Sequence, residues 1–282
     1  MGMAAPGQAA PIRHAHDRQR GHWGGAILQH RSIWSLHLPW HRLAVGLLIA
    51  LGYSGLMALL QPLLADFWAW QVQAWLQGLA LAGPAVAGDM LMPEAGELSL
   101  FSLPVPRLDL PMSDVGNVGL AAHALACVAL WLAAGWLPDP AKPGAYVLRF
   151  AVLIHAASVL YFGLWPGSFM HSLGGHVSAG LRQSWMLLLL TPWLHLCTYY
   201  LFPFPLWQRL AVTGVTLLYL ALLAPLQYTS HAVLLVLAGP VLMPLLHLLF
   251  GVMVPILGLV ALYGWGMSWY DPQPEPGARH AR

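Results

Sequence analysis

Apolar runs alternate with short polar segments from Leu43 almost to the end of this chain. A helix that crosses a bilayer needs about 20 apolar residues. Six stretches approach that length, 43–63, 118–137, 146–165, 184–202, 207–226 and 241–265. The pattern predicts an all-α polytopic membrane protein with about six transmembrane helices.

The segment 66–82 has a different pattern. One face carries apolar side chains and the other is more polar, with Trp68, Val72, Trp75 and Leu79 against Asp66, Trp70, Gln73 and Gln77. A helix this amphipathic favours the membrane surface over its interior. We therefore expect an interfacial amphipathic helix on the outer side.

The longest outer loop, 83–117, follows that helix. Its part 98–111 is expected to be extended, either as an edge strand or as a polyproline-like segment. The reason is that Pro104 and Pro106 fix their own backbone and restrict the residues before them. The loop is too short for an independent domain, so it predicts a small periplasmic cap.

The stretch 227–269 is too long for one transmembrane helix and too short for two well-separated ones. Gly239 and Pro240 divide it. We expect a re-entrant or interfacial outer helix up to residue 238, followed by one span. The alternative is two spans, which makes seven in all and puts the C-terminus outside.

The cationic residues decide orientation. One set of loops and ends holds ten of the twelve, Arg13, Arg18, Arg20, Arg31, Arg42, Lys142, Arg149, Arg209, Arg279 and Arg282, and the other holds Arg107 and Arg182. Short loops rich in Lys and Arg stay in the cytoplasm. Both termini are therefore predicted to be cytoplasmic. The domains are then a cytoplasmic tail at 1–41, disordered at its start, a transmembrane domain at 42–271, and a tail at 272–282.

Composition supports the membrane assignment. Charged residues make up 8% of the chain and hydrophobic ones 59%, whereas soluble domains carry about 25% charged residues. The formal charge of +2, without basic residues interleaved with stacking aromatics, gives no reason to expect a nucleic-acid partner. The bilayer and other membrane subunits are the expected partners, and a bacterial inner membrane is the simplest setting.

Histidines are the main candidates for chemistry. His155, His195 and His247 fall near mid-depth of three spans, and ionisable residues there face protein or cavities. His155 and His195 form a possible axial pair for a b-type haem. Alternatively, the external His171 and His176 begin a proton or metal path. A third interpretation makes all of them neutral hydrogen-bonding groups between helices.

Other chemistry has weaker support. The acidic loop residues Glu94, Glu97, Asp109 and Asp114 are candidate acid and base groups for glycosyl chemistry, but nothing in the sequence fixes their separation. His123 and Cys127 share one helix face without a partnered arginine, so packing explains them more simply. No phosphate loop, nucleophile elbow or zinc-protease motif is present.

These observations lead to three functional hypotheses. The first is a non-catalytic inner-membrane subunit that scaffolds or anchors an envelope or respiratory complex, with no cofactor and no metal. The second is a haem b or quinone redox subunit that uses His155 and His195. The third is a membrane enzyme or carrier for the export of lipid-linked or extracellular polymer precursors.

Overall fold

The computed structural model describes residues 40–80, 89–91, 103–110, 112, 114–201 and 204–269. The chain divides into two units, Met1–Leu43 and Ala44–Arg282. Only the opening turn of a helix is described in the first unit, and the second contains the helical architecture. The predicted tail 1–41 lies outside the described residues up to position 39, and the tail 272–282 lies outside them entirely.

Helices dominate the described residues. They are α1 (Trp40–Leu59), α2 (Gln61–Ala80), α3 (Asn117–Gly135), α4 (Lys142–Leu164), α5 (Leu173–Leu201), α6 (Leu206–Ala238) and α7 (Val254–Met267). A 3₁₀ turn, Asp139–Ala141, precedes α4. Between α6 and α7 lie a 3₁₀ turn (Pro240–Leu242), one α turn (Met243–Leu245) and a π-helical stretch (Leu246–Met253).

Five helical segments are long and apolar enough to cross a membrane, Trp40–Leu59, Asn117–Gly135, Asp139–Leu164, Leu206–Ala238 and Pro240–Met267. This confirms the all-α membrane class. The 29-residue α5 is long enough, but Gly, His, Arg and Gln residues in its first half make it less apolar. The sixth span and the orientation therefore stay predictions.

Helix α6 continues past the predicted end of a span at residue 226. It runs 33 residues to Ala238, so the prediction of a separate outer helix at 227–238 was wrong. Pro225 lies inside α6 and offers no N–H to the carbonyl of Ala221, four residues earlier. The Trp68 indole Nε1 donates to that carbonyl over 2.9 Å. Because the carbonyl keeps a partner, the helix can pass through the proline.

Helix α2 begins five residues before the predicted start, directly after α1. The N–H of Leu60 and that of Leu64 each donate to a carbonyl four residues earlier, so helical bonding continues across the junction. Trp68 and Val72 are fully buried, whereas Trp75 of the same predicted apolar face is 45% exposed. The buried stripe continues through Leu76 instead, and the interfacial position of this helix stays a prediction.

The extended conformation predicted for 98–111 is confirmed within 103–110. Strand β2 (Arg107–Asp109) pairs antiparallel with β1 (Asp89–Leu91), with Asp89 opposite Asp109. The segment buries four apolar side chains, Leu103, Val105, Leu108 and Leu110. They join buried residues of α2, α5 and α6 in one hydrophobic core. Part of the predicted cap therefore packs against the helix bundle and contributes to its hydrophobic core.

Glycines allow close contact at several helix crossings. A Cβ at Gly180 of α5 would overlap the ring of Tyr228 on α6, and one at Gly258 of α7 would overlap Tyr219. At Gly174 it would meet the backbone carbonyl of Leu108. Small residues at such crossings let membrane helices approach closely, and here they fix both α5 and α7 against their neighbours.

The π-helical stretch is tied to α6 by side chains. Pro255, the second residue of α7, offers no N–H to Phe250 or Gly251, the carbonyls at π- and α-helical spacing. Gln227 Nε2 donates to the Phe250 carbonyl over 2.8 Å, and the Tyr228 hydroxyl donates to Gly251 over 3.4 Å. Two neighbouring residues of α6 thus supply the donors that the proline lacks.

Candidate functional site: three groups of histidines

The predicted histidines fall into three separate groups. His195 lies between α5 and α6 near Thr213 and Tyr199. His155 of α4 contacts His123 of α3. His247 lies in the π-helical stretch, where its ring is 5.8 Å from that of His176.

His195 takes part in a chain of hydrogen bonds. Its Nδ1 lies 3.0 Å from Thr213 Oγ1, which lies 2.8 Å from the hydroxyl of Tyr199. The Tyr199 hydroxyl also lies 2.9 Å from the carbonyl of Arg209 and 3.3 Å from His195 Nδ1. His195, Thr213 and Tyr199 are all buried, so water does not compete freely for these bonds.

Only one assignment of donors and acceptors gives every contact in this series of hydrogen bonds a proton. The Arg209 carbonyl only accepts, so Tyr199 donates to it. Thr213 then donates to the Tyr199 oxygen, and His195 Nδ1–H must donate to Thr213. His195 is thereby held as the Nδ1–H tautomer. Its other nitrogen, Nε2, keeps a free lone pair and has no hydrogen-bond partner in the described residues.

The donors and acceptors of the His123–His155 pair are assigned in the same way, starting from a carbonyl that can only accept. His123 Nε2 lies 3.0 Å from the carbonyl of Ala238 and must donate to it. His123 Nδ1 then accepts from His155 Nε2 over 3.1 Å. The carbonyl at the C-terminal end of α6 gains a partner, as helix ends inside a membrane require. Ser158 of α4 donates to Val241 just beyond it, so α3 and α4 each contribute one side-chain donor near the end of α6.

The structure does not bring His155 and His195 together. His195 contacts α6 at Thr213, whereas the His123–His155 pair meets it at Ala238. These positions are 25 residues apart on one helix, which is about 37 Å at 1.5 Å per residue. Two axial ligands must both reach one iron, so this geometry does not support a haem shared by these two histidines.

The third group lies where α5, α6 and the π-helical stretch meet. His176 and His231 are buried, with their nearest ring nitrogens 3.4 Å apart. The ring of Tyr228 lies 5.2 Å from that of His231 and 6.0 Å from that of His176. Within the described ranges, no three His, Cys, Asp or Glu residues are arranged to hold a metal ion.

The remaining sequence candidates do not converge. Asp109 and Asp114 are exposed, and Glu94 and Glu97 lie outside the described residues. Cys127 is buried and free, while the ring of its helical neighbour His123 is directed to His155 and Ala238. The described part of the chain therefore shows no nucleophile–base pair at this position.

Two apolar grooves border α1. One has a volume of about 720 Å³ and runs between α1 and α5, past Gly55, Ala58 and Trp193. The other, about 480 Å³, lies against α2 and α6 beside Tyr53 and Phe67. Their linings are almost entirely hydrocarbon, so both suit lipid acyl chains better than a polar substrate.

Sequence reasoning missed what the buried polar residues do. Gln227, Tyr228 and Trp68 were not candidates, yet each donates to a carbonyl that a proline leaves without its helical donor. The signal was available in Pro225 and Pro255, since a proline inside a predicted span implies a donor from a neighbouring helix.

Comparison of the chain with protein-family models, curated proteins and solved structures returned no match.

Proposed function

We propose that this protein is a non-catalytic inner-membrane subunit that scaffolds or anchors a larger envelope or respiratory complex. The bacterial inner membrane, six spans and two cytoplasmic termini form part of the same proposal. Its support comes from how the molecule uses its buried polar groups and from the surface that one helix leaves uncovered.

The observation that carries the proposal is the use of interhelical donors on helix backbone. Carbonyls of α6 and of the segment after it accept from side chains of other helices, in the pairs Trp68–Ala221, His123–Ala238, Ser158–Val241, Gln227–Phe250, Tyr228–Gly251 and Gln208–Gly266. A polar side chain that donates to a backbone carbonyl of another helix in this way stabilises the packing of the two helices. Such a pattern is expected of a rigid membrane framework.

Helix α3 offers the surface for a partner. It contains seven alanines and two glycines in 19 residues, and only Cys127 and Ala134 are buried. Membrane helices associate through small residues that let their backbones approach. The uncovered alanine-rich surface of α3 is therefore the part of the framework that best suits a second transmembrane helix.

Site-specific photo-cross-linking in the native membrane tests this proposal. A photoreactive amino acid is placed on α3 at Val128 or Leu132, which are 59% and 57% exposed. The matched control position is Leu257 on α7, which is 58% exposed. We expect a discrete protein adduct from the α3 positions and only lipid adducts from α7.

Three results would contradict the scaffold. The first is lipid adducts alone at α3, with the same pattern as at Leu257. The second is substrate turnover by the isolated protein, and the third is a stoichiometric haem band in its reduced absorption spectrum. Turnover or a haem band would assign the chemistry to this chain.

A further inference from the structure

Arg182 of α5 lies in line with two apolar side chains of the same helix. Met186 and Leu190 follow it at intervals of four residues, so all three share one helix face. Met186 is 44% exposed and Leu190 is 51% exposed, and Arg182 is exposed as well. A cation therefore lies at one end of an uncovered apolar ridge.

A groove runs along each side of this ridge. The groove of about 720 Å³ between α1 and α5 is lined by Met186 and Leu190. A second groove, of about 220 Å³, is lined by the same two residues and, from the far side, by Val252 and Ile256. Two mainly apolar grooves thus share one ridge, as the two acyl chains of a phospholipid share one head group.

The larger groove has the depth of one membrane leaflet. Trp193 is the lining residue furthest along α5, eleven residues after Arg182. This separation is about 16 Å at 1.5 Å per residue, and half of a bilayer's hydrocarbon core is about 15 Å. Trp193 Nε1 donates to Ser54 Oγ of α1 over 3.1 Å. An acyl chain that begins at Arg182 therefore extends as far as this bond between α5 and α1.

Gly55 keeps the larger groove open on the side of α1. It lines the groove, and a Cβ at this position would find no atom within 4 Å. A larger side chain at Gly55 would therefore occupy space that is otherwise free for an acyl chain.

Charge indicates the head group. Arg182 takes part in no ion pair among the described residues. The segments that line the two grooves, α1, α5, the π-helical stretch and α7, contain no Asp or Glu. A guanidinium binds phosphate through paired, charge-assisted hydrogen bonds. A head group with net negative charge suits this position better than a zwitterionic one, because its phosphate carries no neighbouring ammonium group.

We propose that Arg182 and the two grooves form a binding site for one anionic diacyl phospholipid. The Arg182 guanidinium binds the phosphate. One acyl chain lies in the groove between α1 and α5, and the other lies across the ridge of Met186 and Leu190 in the smaller groove. This site needs a bilayer but no protein partner, so it does not depend on the scaffold proposal.

Native mass spectrometry of the full chain in detergent tests the head-group contact. The probes are phosphatidylglycerol and phosphatidylcholine with identical acyl chains, each titrated to give a Kd for the first bound lipid. We expect phosphatidylglycerol to bind about fivefold more tightly, the contribution of one cation near an anionic lipid. Arg182→Gln should abolish this preference. The control Lys142→Gln removes another exposed cation and should preserve it.

Gly55→Leu tests the larger groove by the same titration. It should weaken the binding of both lipids about tenfold, because the loss of two buried methylene groups is sufficient for that effect. The matched control is Gly52→Leu on the same helix, where the space is also open but the residue lines neither groove beside α1. Ala58→Leu narrows the same groove and replaces Gly55→Leu if that variant does not fold.

Three results would overturn the site. Equal affinity of the natural chain for the two lipids would remove the anionic preference. A preference that survives Arg182→Gln would assign it to another cation. Unchanged binding when the groove is filled would exclude the acyl chain from it. Cross-linking at α3 does not influence these titrations, so failure of this site and failure of the scaffold are distinguishable.

Discussion

The indole nitrogen of Trp68 donates a 2.9 Å hydrogen bond to the carbonyl of Ala221, which is the carbonyl that Pro225 leaves without its helical donor. Trp68 is fully buried. One side chain of α2 thus compensates a proline in the middle of α6, and the two helices depend on each other at this point.

Replacement of Trp68 by Phe should lower the free energy of unfolding by about 1 kcal/mol. This lies between the average for hydrogen bonds in membrane proteins and the cost of an orphaned buried acceptor. Pro225→Ala restores an N–H to α6, so the loss from Trp68→Phe should shrink in the double variant. Unfolding in detergent measures all four proteins. Trp70→Phe, at a 63% exposed position, is the control. Equal losses in both backgrounds would contradict the assigned role.

Gln227→Leu should destabilise the joint between α6 and the π-helical stretch. It removes the donor to Phe250, whose carbonyl has no N–H from Pro255. We expect a loss of about 1–2 kcal/mol, measured by the same unfolding assay. Ser230→Ala is the control, because exposed Ser230 bonds only within its own helix. If both variants unfold alike, Gln227 does not serve the neighbouring helix.

Two glycines of α7 should respond differently to alanine. Gly258→Ala places a methyl group in the ring of Tyr219 and should cost about 1–3 kcal/mol through overpacking. At Gly264 the space is open, so alanine should be neutral or raise stability by up to about 1 kcal/mol through helix propensity. Thermal unfolding of the two single variants measures the difference. Similar effects at both sites would show that Tyr219 does not pack on this surface.

Cysteine accessibility should test the orientation. Cys197 is exposed, so the background variant replaces Cys127 and Cys197 by Ala. Ser168→Cys, before α5, should react with a membrane-impermeant maleimide in intact cells. Ser268→Cys, after α7, should react only once the membrane is opened. The reverse pattern would place Lys142, Arg149 and Arg209 outside and contradict the charge rule.

The sequence predicted the membrane class and four of the five segments that can span with bounds close to those observed, because lengths of apolar chain follow directly from bilayer thickness. It did not predict that α6 continues past residue 226. A proline normally interrupts a helix, and only tertiary contact with Trp68 shows that this interruption has been compensated.

Histidines illustrate the limit more clearly. His155 and His195 occur at comparable distances along their own spans, and the sequence alone gave no reason to separate them. The His123–His155 pair meets α6 at Ala238 and His195 meets it at Thr213, 25 residues apart. The packing of the helices determines this separation. The sequence can identify which residues lie in the membrane, but the pairing of helices decides which of them meet.

The bonds from Gln227 and Tyr228 also bear on biogenesis. Lipid provides no hydrogen-bond donors for the carbonyls of Phe250 and Gly251, so both would lack a partner if this segment entered the bilayer by itself. The last helical segment, Pro240–Met267, is therefore poorly suited to leave the translocation channel alone. It gains its missing donors beside α6, so the two should enter the bilayer as a preassembled hairpin.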